Sequence, residues 1–172
     1  MCGLRWRNAR YEDRVDLQAF ICTPPVKRGS TWRRAAPQDL KWEREAQGVI
    51  RNMRPPAPLG QTMLVGVDDV GIAAVAWAGE ESGPGDVFTK AVAVALRLRG
   101  RGGQHADELI KELTNRLTSR ADAAGESRLE LTANVHVRNH ASKRLWRRAG
   151  ASIFEVHGDL EEWALLVPLD QA

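Results

Sequence analysis

The segment from Val92 to Leu117, VAVALRLRGRGGQHADELIKELTNRL, constrains this chain more than any other. Val92 to Leu96 is wholly apolar, as expected of a strand covered on both faces. It gives way abruptly to Arg97–Gly103, which sets three arginines among three glycines. From Gln104 onward apolar residues recur at Ala106, Leu109, Ile110, Leu113, Leu117 and Ala121, the spacing of one helical face. The glycines therefore precede a helix N-terminus, where four backbone N–H groups lack intrahelical partners and the helix dipole favours negative charge. Glycine lets the backbone approach an anion and accepts positive φ, while Arg99 and Arg101 can add charge-assisted hydrogen bonds. Phosphate is the natural ligand of such a place.

Spacing excludes two familiar phosphate loops. A Walker loop requires Gly-Lys-Ser or Gly-Lys-Thr, and here Gly102 is followed by Gly103 and Gln104. A dinucleotide fold places GxGxxG after its first strand, whereas this loop lies past mid-chain with His105 at the third glycine's place. The formal charge of +3 is too small to argue for a dedicated nucleic-acid binder, although basic residues cluster over Lys27–Arg54 and Arg138–Arg148. Solvated helix faces account for the first cluster. Cys2 and Cys22 are too few for a disulfide framework or a zinc site, and no metal centre is expected. With no apolar run long enough for a signal peptide or a membrane span, the expected location is the cytoplasm.

At 172 residues and 43% apolar, the chain suits one domain over 1–172 with a sizeable core. Leu4–Arg7 reads as a short strand, and Tyr11–Cys22 as a helix with Val15, Leu17, Phe20 and Ile21 inward and Asn8 as its cap. A second helix is expected from about Asp39 to Met53, with Leu40, Val49, Ile50 and Met53 buried, ended by Pro55, Pro56 and Pro58. Thr62–Val67 and Gly71–Ala78 suit a hairpin turning at Asp68-Asp69-Val70; Glu80–Gly85 then reads as a loop. After the glycine-loop helix come a strand at Arg128–Val135, a short helix at Asn139–Ala149, and two strands at about Ser152–His157 and Glu161–Pro168.

The pattern Arg97-x-x-Gly100-x-Gly102 resembles the pyrophosphate loop of the GNAT family of N-acetyltransferases, which binds the diphosphate of acetyl-coenzyme A. About 40 residues on, Val135–Ala151 reads VHVRNHASKRLWRRAGA and is similar to the family's VxxxNxxAxxLYxxxGF segment. Val135, Asn139, Leu145 and Gly150 match, Ser142 takes the alanine place, and Trp146 stands where the family often has tyrosine. The element order is that of the GNAT fold as well. The resemblance covers most of the chain from Leu64 onward and implies an α/β domain with a mixed, mostly antiparallel, centrally splayed sheet. Helices would cover both faces, with a cleft between the strands that precede the third and fourth helices.

The same resemblance implies an N-acetyltransferase that uses acetyl-coenzyme A to acylate an amine of a small molecule or a protein. Nucleic acid and membrane are not expected partners; a homodimer is compatible. Val94, Ala95 and Leu96 would meet the pantetheine arm, with a backbone N–H near Val94 or Ala95 aimed at the thioester carbonyl. Arg99, Gly100, Arg101, Gly102 and Gly103 would hold the diphosphate, although Gln104 departs from the small residue that commonly follows. Asn139 reads either as a helix cap or as a pantetheine ligand. Lys143 and Arg147, one turn apart, are candidates for the 3′-phosphate. Glu80, Glu81 and Asp86 are candidate general bases, and Trp32, Trp42 and Trp77 candidate groove aromatics. Indole cannot act as the general acid, and the chain's single tyrosine is Tyr11. Either solvent protonates the leaving thiolate, or the fold serves as a non-catalytic acyl-coenzyme A-binding or interaction module.

Overall fold

A computed structural model describes residues 3–24, 41–100 and 102–169. Seven strands form one sheet in the order β1-β2-β3-β4-β5-β7-β6, comprising β1 Arg5–Asn8, β2 Gln61–Asp68, β3 Gly71–Gly83, β4 Asp86–Val94, β5 Arg128–His136, β6 Ser152–His157 and β7 Leu160–Pro168. Every neighbouring pair is antiparallel except β4 and β5. The helices are α1 Arg14–Ala19, α2 Lys41–Arg51, α3 Gln104–Ala123 and α4 His140–Arg148.

Two apolar clusters sandwich the sheet. One lies beneath α3 and α4 and joins Leu109, Leu113, Leu117 and Trp146 to Leu129, Leu131 and Val135 of β5. The other lies beneath α1 and α2 and joins Leu17, Phe20, Ile50 and Met53 to Val65, Val75, Ala91 and Ala93. The stripe read for α3 is the buried one, with Ala106 half-buried at its start.

The sheet opens at β4. Thr89 faces Ala78 and Ala91 faces Trp77, which leaves Lys90 as an extra residue without a partner on β3. The bulge moves side chains to the opposite face, since Val87 packs on the α3 side whereas Ala91 and Ala93 pack on the α2 side. It also re-aims the strand. β4 pairs with β5 only where Asp86–Phe88 meets Glu130–Thr132, and beyond that point the two parallel strands part. This is the splayed sheet the sequence led us to expect. The end of β4 is less covered than its apolar run suggests, because Val92 and Val94 are half-buried beside the gap.

Some boundaries differ from the sequence reading. The first helix is short, a 3-10 turn at Tyr11–Asp13 followed by α1, and Val15 and Ile21 are exposed. Asn8 lies in β1; the carboxylate of Asp13 accepts the backbone N–H of Arg10 and pairs with the Arg7 guanidinium, which fixes the chain at the helix start. Glu80–Gly83 continues β3 rather than forming a loop, because Gly83 still pairs with Asp86. Ala95 ends the β4 ladder and Leu96–Leu98 forms a 3-10 turn. Leu40, Trp32 and Arg101 lie outside the described residues.

Candidate active site

A cavity of about 530 Å³ opens where β4 and β5 part. Its walls are Val92–Val94, the glycine loop, the first turns of α3 and α4, and Trp42, Glu43 and Ala46 of α2. The backbone at its edge is directional. The Ala95 N–H donates to Ala73 O and the Leu96 N–H to Ile21 O, each at 2.8 Å. In an antiparallel ladder successive residues point alternately toward and away from the partner strand, so Val92 and Val94 turn their N–H and C=O groups away from β3, into the gap. Of the two backbone donors expected from sequence, Val94 faces the cleft and Ala95 is engaged elsewhere.

Two helix N-termini converge on the cavity. Gly103, at φ +86°, is the N-cap of α3, and Gly100 and Gly102 also have positive φ, which exposes the loop amides in a way Cβ-bearing residues resist. Asn139 caps α4, its Oδ1 accepting the Ser142 N–H at 3.1 Å, and it also lines the cavity, so both of its sequence readings stay available. Trp42 stacks on His136 at the end of β5, with ring centroids 4.9 Å apart. The His136 Nδ1 accepts the Arg138 N–H at 3.2 Å.

The loop arginines have separate roles. Arg97, the first residue of the sequence motif, forks onto both carboxylate oxygens of Asp68 at 2.9 Å and pins the β2–β3 turn. Arg99 lines the cavity, and its Nη1 lies 2.9 Å from each carboxylate oxygen of Glu43. On α4 the cavity-lining cations are Arg144 and Arg148. Arg148 pairs with Asp107, which raises its pKa, whereas Arg144 is exposed with no carboxylate partner among the described residues.

Several expected residues stand elsewhere. Lys143 turns away from the cleft: its Nζ lies 2.7 Å from Glu161 Oε1 and donates to Val137 O. That ammonium holds the Glu161 carboxyl below its usual range. Arg147 lies over the Trp163 ring. Lys143 and Arg147 share a face turned from the cavity, whereas Arg144 and Arg148, also one turn apart, line it. Trp146 is 3% exposed in the core beneath α4 and does not line the cleft.

Glu80, Glu81 and Asp86 sit at the far end of β4. Glu80 pairs with Arg120 of α3 on the opposite face from α2, Glu81 is exposed, and Asp86 accepts a hydrogen bond from Ser82. Eight residues of strand separate Asp86 from Val94, about 26 Å at 3.3 Å each. Among the described residues Glu43 is the carboxylate that lines the cavity. It was missed because nothing local marks it; its partner lies 56 residues away. Trp77 donates Nε1–H to Gln61 Oε1 at 2.7 Å and carries Lys90 over its ring.

No family model and no curated protein matches this sequence. The likeness to solved structures is one of fold. The PaiA N-acetyltransferase from Thermoplasma acidophilum, in complex with coenzyme A, superposes with a TM-score of 0.67 at 13% identity over 95% of this chain and 98% of that one. Aminoglycoside 6′-acetyltransferase type Ii gives 0.65 at 13% identity over 98% and 99%. YncA from Salmonella typhimurium, solved with its cofactor acetyl-CoA, gives 0.52 at 21% identity over 99% and 96%. An acetyltransferase of the GNAT family from Desulfovibrio desulfuricans gives 0.58 at 17% identity over 94% and 98%, and the chain thus has the fold of the GNAT acyl-CoA N-acyltransferases. No helix among the described residues is long and apolar enough to cross a membrane.

Proposed function

We propose that this protein is an acetyl-coenzyme A-dependent N-acetyltransferase acting on an amine. The observation that carries the reading is the parting of β4 from β5 over a cavity that gathers free backbone groups, two helix N-termini and cationic side chains. Each feature matches one part of the donor. The amides of Gly100, Gly102 and Gly103 at the start of α3, with Arg99, suit the diphosphate. The outward backbone of Val92 and Val94 suits the amide-bearing pantetheine arm as a substitute strand. Arg144, which lines the cavity and has no carboxylate partner among the described residues, suits the 3′-phosphate in place of Lys143.

In this reading the rate comes from holding amine and thioester together and from polarising the thioester carbonyl with the Val94 N–H. The unprotonated amine nitrogen forms a bond to the carbonyl carbon, the carbon–sulfur bond breaks, and the proton shed by the nitrogen passes to water. Trp146 is buried and cannot reach the sulfur, so the departing thiolate takes a proton from water; a thiol of ordinary acidity, near pKa 8.5, requires no stronger acid. The acceptor approaches from the α2 side, and the aminoglycoside enzyme of the same fold favours a small-molecule amine as its class. A buried free thiol at Cys22 agrees with a reducing, cytoplasmic setting.

The test is release of the coenzyme A thiol from acetyl-coenzyme A in the presence of a panel of primary amines. Amine-dependent release above the hydrolytic background is expected. Binding of acetyl-coenzyme A without transfer to any amine would favour the non-catalytic module.

A further inference from the structure

We propose that Glu43 is a positioning residue for the donor's diphosphate: it acts through Arg99 and locks the acceptor-side helix α2 to the glycine loop. The inference rests on the reading of the cleft as a coenzyme A site. Both side chains line that cavity, and no local sequence pattern pairs them.

The geometry indicates support rather than competition. A single nitrogen of Arg99, Nη1, serves both carboxylate oxygens of Glu43 at 2.9 Å, and this leaves Nε and Nη2 as donors for a second anion. The Glu43 side chain is 17% exposed against 38% for Arg99, so the carboxylate is the fixed partner. Its helix is held on several sides. Ile50 has no exposed surface, Gln47 Oε1 accepts the Cys22 and Thr23 N–H groups, Arg51 Nε donates to Phe20 O, and Trp42 stacks on His136. Arg99, by contrast, is the more exposed partner and follows a single 3-10 turn, its N–H donating to Leu96 O at 3.1 Å. Anchoring to α2 removes rotamer freedom from Arg99 before any ligand arrives.

Without the anchor, the arginine's ordering would be charged against binding. Freezing one long side chain corresponds to an affinity change of about two- to twelvefold. Glu43 is also negative, and if its main effect on a nearby diphosphate were repulsion, removing its charge would tighten binding instead. The two possibilities differ in sign.

Calorimetric titration with coenzyme A decides between them in the full chain, the E43Q variant, the R99Q variant and the double variant. The expected result is two- to twelvefold weaker binding for E43Q against the wild type, with no further weakening when E43Q is added to R99Q. A merely structural role of Glu43 would weaken both backgrounds alike, and that outcome overturns the proposal. Unchanged or tighter binding by E43Q overturns it as well. A wild type that does not bind coenzyme A would instead remove the cofactor reading on which the proposal stands.

Discussion

Substituting Gly103 by alanine probes the anion-binding end of α3. The residue has φ +86°, and a Cβ built there would lie 2.7 Å from Nη2 of Arg148. Left-handed backbone costs a Cβ-bearing residue about 1–2 kcal/mol. The steric term is smaller, because the clash is with the end of a flexible side chain. Arg148 can swing aside at the expense of its exposed pair with Asp107, worth about 0–1 kcal/mol. Alanine recovers about 0.4–1 kcal/mol by restricting the unfolded chain, which leaves a net loss of about 1–2 kcal/mol. For a chain of this size that corresponds to a melting temperature lower by about 2–8 °C. Gly48 supplies the opposite control. It lies inside α2 with open space around its Cβ position and without positive φ, so Gly48→Ala is expected to raise the melting temperature through a gain of about 0.5–1 kcal/mol. Thermal denaturation by circular dichroism measures both. A Gly103→Ala variant that melts at or above the wild-type temperature would refute the assigned loop conformation.

Trp146→Phe removes buried volume from the α4 core without touching the cleft, so denaturant unfolding should show a loss of about 1–3 kcal/mol while coenzyme A affinity is unchanged. Lys143→Met leaves the Glu161 carboxylate without its cation and should destabilise by about 1–3 kcal/mol; the ratio of affinities for coenzyme A and 3′-dephospho-coenzyme A should stay at the wild-type value. Arg144→Gln should show the reverse, normal stability with a diminished preference for the 3′-phosphate. Asp13 and Glu161 are held below their usual carboxyl range by hydrogen bonds from Arg7 and Lys143. The stability they contribute is complete above the unfolded carboxyl values of about 4 and is lost as pH falls through the lower folded values. Melting temperature followed from pH 6 to pH 2.5 should therefore drop below about pH 4, and Glu161→Gln should shrink the drop.

Periodicity carried much of the fold. The α3 stripe, the apolar alternation of β5 and the order of elements were readable because each is a local pattern with a fixed period. The ladder pairing at Gly83 and Asp86 was not, since it depends on cross-strand partners rather than on the turn-like composition of Glu80–Gly85. Val15 is apolar yet exposed on α1, and Ile21 lies beyond the end of that short helix at Ala19 rather than on an inward face of a longer one. At the candidate site the glycine loop and Asn139 were legible as motifs. Which arginine does what was not. Arg97 is taken by Asp68, 29 residues away, and Arg99 by Glu43, 56 residues away, pairings that sequence spacing cannot specify. Lys143 lies one residue from the cavity-lining Arg144, which on a helix is a turn of 100° and a different face.

We propose that the gap between β4 and β5 is a binding site for acetyl-coenzyme A. Isothermal titration of acetyl-coenzyme A into the full chain tests it without knowledge of the acceptor. Saturable binding at one site per chain in the micromolar range, weakened by R99Q, is expected. No detectable heat at millimolar ligand, confirmed by an unshifted melting temperature in its presence, would contradict it.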